Sequence, residues 1–511
     1  MTSRSTLSIA ETLELTLRWN ARRILVRTEQ AEHTGAEIER ATRRIVLALV
    51  GQGIGAGNTV CLLGNNSYRY LCCYLAVLRL GAVPAALHAR ETAESLGVAL
   101  KHVGAALILA DADHVPLVEK ACGASGLGIP LINIDSSGPG THQLAAVLGS
   151  EDAVFAARHL SEDAPALILL SSGSTGVPKA VLHSQRTMSV FVSQARTLFG
   201  DLGPQTRHLL ILGTSFAAWA FTALPVLWAG GCLSIRSGFE PDLFCRTIEK
   251  DRINHLATVP TLVRFLKPEI TAKYDLTSLK MVLCSGEAPQ RTDIDRILSW
   301  SPQTDVRCLY LASETGPSTA TLATRHDLIE GGKLGSAGRP LPFVDLRIIA
   351  PEGGIDDILP PGEIGEICLR GPSVAVGYHA DPEKTAAKFV QGWWRSGDLG
   401  RLDADGFLFF EGRSDNVINT GGIKVHGEEI EAVLLSHPDI QMAAVVGVPD
   451  PKWGHRIVAH VIARRPLDVA AVLSYCEDNG LAGFKKPREL HVHDALPLGP
   501  TGKINRNALR K

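Results

Sequence analysis

The chain has 511 residues, 45% hydrophobic and 20% charged, enough for two or more structural units around a large core. A formal charge of −2, with no basic stripe, excludes nucleic acid as a bulk electrostatic partner. Ten cysteines without a C-x-x-C pair exclude a zinc-site or disulfide signature and fit reduced thiols in a cytoplasmic protein. Met1 to Asn20 carries Glu11 and Glu14 and has no apolar run of the signal-peptide kind. Helical spacing of Ile38, Ala41, Ile45 and Leu49 predicts an amphipathic helix from Thr34 to Val50. Thr59 to Leu63 reads as a strand, Tyr70 to Leu80 as an apolar helix stopped by Gly81, and Val83 to Leu87 as a strand. Ala93 to His102 is helical, Ala106 to Ala110 extended, and Ser136 to His142 a loop.

The most informative stretch is Ala166 to His183. Its apolar run Leu167 to Leu170 reads as a buried strand, and Val181-Leu182 as a second short strand. Between them lie Ser171, Ser172, Gly173, Ser174, Thr175 and Gly176, then Pro178 and Lys179. Glycines admit close backbone approach, hydroxyls donate, consecutive amides form an anion nest, and Lys179 adds a point charge. Such a loop suits a polyphosphate. It is not a Walker A loop, because its two glycines and lysine are spaced by threes and a strand follows. Taken alone, the same residues also read as a Ser/Gly surface turn.

Further on, Leu209 to Leu212 is a strand and Ser215 to Ala229 a helix apolar on all sides, hence buried. The longest apolar stretch, Thr222 to Ile235, is broken by Pro225 and Gly230-Gly231 and is too short to span a bilayer. Strands follow at Cys232 to Ile235, His255 to Val259, Leu279 to Cys284 and Val306 to Tyr310. The alternation predicts a doubly wound α/β region with a mostly parallel sheet. Ligands collect at the carboxyl ends of such strands, and the loops 171–178, 285–289 and 311–316 each follow one. From Gly331 short strands with Gly and Pro turns predict a small β-rich subdomain. They include Asp345 to Ile349, Gly365 to Arg370 and Gly406 to Glu411. The tail reads as a separate α+β domain, with strands at Ala443 to Val448, Val458 to Ile462 and Leu490 to His493. Its helices are predicted at Glu428 to Ser436 and Leu467 to Asn479.

These motifs together resemble the adenylate-forming superfamily, which holds acyl-CoA synthetases, peptide-synthetase adenylation domains and beetle luciferases. Ser171 to Lys179 is similar to its phosphate loop, Tyr310-Leu-Ala-Ser-Glu314 to its Tyr-Gly-x-Thr-Glu, and Trp394-Arg-Ser-Gly-Asp398 to its Trp-x-Thr-Gly-Asp. Gly412-Arg-Ser-Asp415 is similar to its hinge, Gly421-Gly-Ile-Lys-Val425 to its thiol-channel strand, and Pro500-Thr-Gly-Lys503 to its terminal lysine loop. The matches run in family order over nearly the whole chain. The resemblance implies a large domain, 1–413, and a mobile C-terminal lid, 414–511. It implies ATP, magnesium and coenzyme A, and attack of a carboxylate on the α-phosphorus before a thiol displaces AMP.

The implied nucleotide site is Ser172 to Gly176, Lys179, Gly286, Glu287, Ala288, Tyr310, Ser313, Asp398, Arg413 and Lys503. Tyr310 would stack on adenine, Asp398 would accept from ribose hydroxyls with Arg413 assisting, and Glu314 would ligate magnesium. Lys503, Lys179 and Glu314 form the implied catalytic set, since joining two anions needs their charge cancelled. Phe216, Ala217, Trp219, Leu311 and Ala312 form the acyl pocket. Asp415 is the hinge, and Gly421, Gly422, Lys424 and Lys485 lie along the coenzyme A channel. Singly, each has a bland reading as a turn or solvated surface residue; the ordered set carries the functional one.

Three departures touch adenylation: Ala180 where the family has glycine, Leu311 after Tyr310, and Ser215 to Trp219 in place of a Gly-rich, often His-containing stretch. One expectation is therefore an enzyme that only converts a preformed acyl adenylate, supplied by a partner adenylating enzyme. Ala217-Ala218 offers no anion for an α-ammonium, so the acid expected lacks an α-amino group and has room to be bulky or polycyclic. The chain ends soon after Lys503 without a carrier domain, which favours coenzyme A over a free-standing carrier protein. Phe484 to Arg488 reads equally as a contact for its phosphates or as a solvated basic run. A nucleotide-binding protein without turnover is the alternative from another class.

Overall fold

A computed structural model describes residues 7–135, 142–148, 154–156, 159–171, 178–413, 417–420, 423–451, 453–479, 481, 485–498 and 504–510. The α/β alternation resolves into two mostly parallel sheets. From edge to edge the first runs Asp305–Cys308, Met281–Cys284, His255–Thr258, Arg207–Leu210, Cys232–Ile235, Ile24–Arg27 and Glu32–Thr34. Only its last pair is antiparallel. The second runs Gly377–Tyr378, Lys179–Ser184, Pro165–Ser171, Val83–Ala86, Thr59–Leu63, Ala105–Ala110, Leu131–Asn133 and His142–Gln143. Its first three strands pair antiparallel and the rest parallel.

Residues of both sheets share one apolar core with the helices Tyr68–Leu80 and Ala217–Trp228. Every residue from Tyr70 to Leu80 is buried, as expected for a helix without a polar face. Ser67 caps it by accepting from the Tyr70 amide, and Gly81 ends it at φ +79°, a left-handed conformation glycine adopts without strain. Thr59–Leu63 is buried at every position, the mark of a parallel strand covered on both faces.

A third, antiparallel sheet runs Thr321–Leu322, Ser336–Pro340, Leu408–Arg413, Trp393–Leu402, Gly365–Arg370 and Asp345–Ile349. Arg413 is the last residue of its strand; Val417 is the first of a strand in the fourth sheet. That sheet runs Ile423–His426, Val417–Thr420, Gly454–Ala463 and Ile440–Asp450, with Glu489–His493 added parallel to Gly454–Ala463. Helices Gly427–Ser436 and Val469–Asp478 pack on one of its faces.

Several boundaries differ from expectation. The second short apolar run is the middle of a six-residue strand, Lys179–Ser184. The strand expected to reach Tyr310 ends at Cys308, which leaves Leu309 to Leu311 free to turn. His142 lies in a two-residue strand, and the rest of the expected loop, 136–141, lies outside the described residues. The amphipathic helices Ile9–Trp19, Gln185–Phe199, Pro241–Asp251 and Arg291–Trp300 were not read from the sequence at all.

Candidate functional site

The strands Pro165–Ser171 and Lys179–Ser184 form an antiparallel pair in which Ser171 stands opposite Lys179. The intervening Ser172, Gly173, Ser174, Thr175 and Gly176 lie outside the described residues. Side chains alternate along a strand, so Lys179, Val181 and His183 share one face and Ala180 takes the other. Val181 belongs to the main core and Ala180 to a separate cluster with Ala85, Leu87, Ile168 and Leu170. The Ala180 methyl therefore points into packed protein on the face away from Lys179. Burial pulls the half-buried Lys179 ammonium below its usual range, and Glu314 pulls it back up. Arg413, Lys384 and Lys388 depress it further. Glu314, Arg413, Lys384 and Lys388 therefore all lie within electrostatic reach of Lys179, though they come from a loop, a strand of another sheet and the helix Pro382–Lys388.

Glu314 sits in the loop after Asp305–Cys308 and is 7% exposed. The Tyr378 hydroxyl donates to its Oε1 at 2.9 Å, and its carbonyl accepts from the Ala375 amide at 2.7 Å. One residue earlier, His183 Nε2 donates to the Ser313 carbonyl at 2.8 Å. Full burial lowers the His183 pKa to about 4 and keeps the ring neutral. Ala312 packs beside Tyr310 in a small core cluster, and its amide donates to Thr315 Oγ1 at 3.0 Å.

Tyr310 is buried, and its hydroxyl donates to Asp398 Oδ2 at 2.7 Å. Burial and the Asp398 carboxylate push the phenol pKa well up. Asp398 and Arg413 face each other across neighbouring strands, with Arg413 Nε 3.8 Å from Asp398 Oδ1. The Tyr310 ring stacks against Phe410 at 6.2 Å between centroids. Gly286 turns at φ +85° just beyond Met281–Cys284. Glu287 accepts from Thr261 Oγ1 at 3.0 Å and Arg264 Nη1 at 3.2 Å. Ala288 packs against an apolar cluster that includes Leu256, Val282 and Ile294.

At the start of the buried helix, Phe216 and Ala217 are half-buried and Leu311 packs against the main core. The Phe216 ring meets His88 edge-on at 5.8 Å. Trp219 differs from expectation. It is 1% exposed, packs edge-on to Tyr70 and Tyr74, and donates its indole N–H to Asn66 Oδ1 at 2.6 Å. Its bulk fills the core. Lys485 is engaged by Glu429 at 2.6 Å. Asp415, Gly421, Gly422, Lys503 and the Lys424 side chain lie outside the described residues.

Sequence reading gave no role to His183 or Tyr378. His183 was legible, since it repeats the two-residue period of Lys179 and Val181; Tyr378 required knowing that Gly377–Tyr378 adds an edge strand there. Among the described residues no three His, Cys, Asp or Glu side chains gather to hold a metal. A single buried carboxylate within electrostatic reach of Lys179 fits Mg²⁺, which takes one or two protein carboxylates and completes its shell with phosphate and water. A surface cavity of about 600 Å³ lined by Leu7, Val190, Pro225 and Trp228 lies at the other end of the Ala217–Trp228 helix. The convergence of charged groups marks the site better than that cavity does.

Residues 16–379 match the AMP-binding enzyme family, and 429–503 the AMP-binding enzyme C-terminal domain. A feruloyl-CoA synthase from an Amycolatopsis species is 30% identical over 489 residues, 94% of this chain and 93% of that protein. The long-chain-fatty-acid–CoA ligase FadD13 of Mycobacterium tuberculosis is 28% identical over 94% of this chain and 92% of its own. Among solved structures, the amide bond synthetase McbA of Marinactinospora thermotolerans superposes with a TM-score of 0.86 at 26% identity. That match covers 98% of this chain and 99% of that one. Among the described residues no helix is long and apolar enough to cross a membrane.

Proposed function

This chain belongs to the AMP-binding enzyme family and is an ATP-dependent acid–thiol ligase, and we propose that it turns a carboxylic acid lacking an α-amino group into its coenzyme A thioester through an acyl adenylate. The observation that carries this reading is the convergence of Lys179, Glu314 and the Asp398–Arg413 pair. An acid and a nucleotide triphosphate repel each other, and cations set in a partly desolvated place cancel that repulsion most strongly.

In the first step a carboxylate oxygen bonds to the α-phosphorus of ATP, and the bond from that phosphorus to the β-phosphate oxygen breaks, releasing pyrophosphate. Lys179 neutralises phosphate charge from one side, and Lys503 neutralises the attacking carboxylate and α-phosphate. Asp398 accepts from the ribose hydroxyls, its oxygens oriented by Tyr310 and Arg413. Tyr310 and the Gly286 to Ala288 segment flank the adenine. Glu314 is the side chain that would hold Mg²⁺, whose charge, when bound, offsets that of the phosphates. In the second step the thiol sulfur bonds to the acyl carbon and AMP leaves. Division of the chain near Asp415 into domains 1–413 and 414–511 lets the lid present Lys503 first and the Gly421-Gly422 strand, with Lys424, second. Lys485, already paired with Glu429, is at most a peripheral contact for coenzyme A.

The acid is bounded by Phe216, Ala217, Leu311 and Ala312. The helix from Ala217 to Trp228 holds no charged residue, so it offers an ammonium no counter-ion. Small residues at 217, 218 and 220 favour a bulky acyl group. All ten cysteines are free and nine of them buried, which supports a reducing, cytoplasmic setting. The thioesterification-only alternative, with its partner adenylating enzyme, gains nothing from Ala180, whose methyl faces the core. The likeness to an amide bond synthetase favours one second reading, an amine in place of the thiol as acceptor.

The test follows pyrophosphate and acyl products by mass spectrometry. The protein receives Mg-ATP, a panel of aliphatic, aromatic and polycyclic acids, and coenzyme A, a carrier protein or an amine. Parallel reactions receive synthetic acyl adenylates. Acyl-CoA from acid and ATP is the expected product; amide alone would move the acceptor to an amine. Acyl-CoA from adenylate alone would revive the one-step alternative, and nucleotide binding without any turnover would make the chain a non-enzymatic binder.

A further inference from the structure

The strand Lys179–Ser184 does more than carry Lys179. Its outer neighbour, Gly377–Tyr378, pairs antiparallel with Val181 opposite Tyr378. Flanking amides add to the seam: Val376 N donates to the Leu182 carbonyl at 2.9 Å, and His379 N to the Ala180 carbonyl at 2.7 Å. From this seam three hydrogen bonds reach the Ser313-Glu314 dipeptide. His183 holds the Ser313 carbonyl, Ala375 N holds the Glu314 carbonyl, and the Tyr378 hydroxyl holds the Glu314 side chain.

We propose that Tyr378 and His183 are positioning residues that fix the Glu314 carboxylate relative to Lys179 and so set how tightly a divalent cation and its nucleotide are held. The proposal rests on the role given to Glu314 above. A carbonyl oxygen only accepts, so His183 must carry its proton on Nε2; Nδ1 then faces Thr187 Oγ1 at 3.3 Å. The donor is thus fixed by its partner, and burial keeps the ring neutral. Tyr378 is fixed in turn. Its ring meets Phe389 edge-on at 5.5 Å, and the Lys384 ammonium lies 5.6 Å from the ring centre. Its hydroxyl engages one carboxylate oxygen, Oε1, which restrains rotation of the carboxylate about its last bond. Neither side chain needs to touch substrate; each acts through the loop or side chain it holds, as outer partners of metal ligands do.

The experiment uses the full-length chain. Mn²⁺ binding in the presence of a non-hydrolysable ATP analogue is titrated by EPR for wild type, Tyr378→Phe, His183→Gln and His183→Leu. Tyr378→Phe keeps the ring and loses only the donor to a charged acceptor, so Mn²⁺ affinity should fall about tenfold or more. The Mg²⁺ needed for half-maximal pyrophosphate release should rise in step, while thioester formation from a synthetic adenylate stays within about twofold. His183→Gln, which retains an N–H, should remain closer to wild type than His183→Leu. Wild-type Mn²⁺ affinity in Tyr378→Phe, or equal losses in both half-reactions, would overturn the proposal. If wild type releases no pyrophosphate from any acid, the ligase reading fails, and the Mn²⁺ titration still decides the positioning role.

Discussion

Two clusters of ionisable side chains in this molecule follow opposite rules. Around Lys179, unlike charges face one another, with Glu314 offsetting a lysine that burial and three further cations disfavour. On the C-terminal sheet, three imidazoles are gathered instead. His460 stacks on His491 at 5.2 Å and on His493 at 5.1 Å, and its Nδ1 lies 2.9 Å from His493 Nε2. Glu489 meets His491 at 3.2 Å on the rim, where Arg456 also engages it. His460 is only 8% exposed and lies against the Leu509 backbone. The first cluster tolerates charge because it supplies both signs. In the second, burial and the two neighbouring imidazoles favour the neutral form of His460. Chemistry on anions needs the first arrangement, and a packed face needs the second.

The sharpest way to break this contrast is to remove one sign from the first cluster. Glu314→Gln leaves Lys179 with Arg413, Lys384 and Lys388 and no carboxylate facing it. Adenylation should fall by about two to three orders of magnitude, the scale of losing one preorganised charge at a reaction centre. Single-turnover pyrophosphate release would show it. A loss below about tenfold would mean that Lys179 does its work without Glu314.

That pair also shows what the sequence could and could not yield. Lys179, Glu314, Asp398 and Arg413 were named because each sits in a short motif with a chemical rationale. Their convergence was implied by the family resemblance and not by pattern or spacing, since Lys179 belongs to one mostly parallel sheet, Glu314 follows a strand of another, and Asp398 and Arg413 face each other in the antiparallel sheet. The fold class followed from strands whose apolar runs are set by burial on both faces. Amphipathic helices such as Gln185–Phe199 and Arg291–Trp300 escaped although their end signals are present: Ser184 and Thr187 form a capping box at the start of the first and Gly200 follows it, and Gln290 and Asp293 form one at the start of the second. Trp219 was misjudged because a large aromatic at a helix start reads the same whether it lines a pocket or plugs a core; only Asn66 and Tyr70, from distant segments, decide it.

Asp398→Asn probes the same charge rule at smaller scale. The amide still accepts from Tyr310, while the negative charge facing Arg413 is lost. AMP affinity should drop by roughly ten- to a hundredfold, the span for a charge-assisted hydrogen bond. Isothermal titration with AMP measures it, and unchanged affinity would separate Asp398 from the ribose.

The second cluster predicts a pH dependence whose sign is fixed. His460 is lowered to about 4, by burial first and then by His493 and His491, against about 6.5 in an unfolded chain. Its folded form is the neutral one, so its contribution is complete above pH 6.5 and is lost as pH falls from 6.5 toward 4. Each unit in that interval costs up to about 1.4 kcal/mol. His183 and His255, also held near 4, act the same way in the large domain. Hydrogen exchange read separately over the strands Gly454–Ala463 and Glu489–His493 isolates the C-terminal domain. His460→Leu should flatten the acid response there and leave that of the large domain unchanged. A response of the C-terminal domain as steep as wild type would place its acid sensitivity elsewhere.

The smallest expected effect tests the boundary between site and core. Ala180 departs from the family pattern next to Lys179, the proposed phosphate-binding lysine, and on sequence alone its methyl threatens the ligand. In the folded chain that methyl is wholly buried among Ala85, Ile168 and Leu170, and Lys179 and Val181 face the other way. Ala180→Gly should therefore destabilise the protein by about 1–2 kcal/mol, from one lost buried methyl and a more flexible unfolded chain. Pyrophosphate release should stay within about twofold, because the Lys179 side of the strand is untouched. Thermal unfolding beside a single-turnover assay reads both numbers from the same preparation. A rate gain of about tenfold with no loss of stability would show that strand alternation does not insulate the Lys179 face of the hairpin from its own back face.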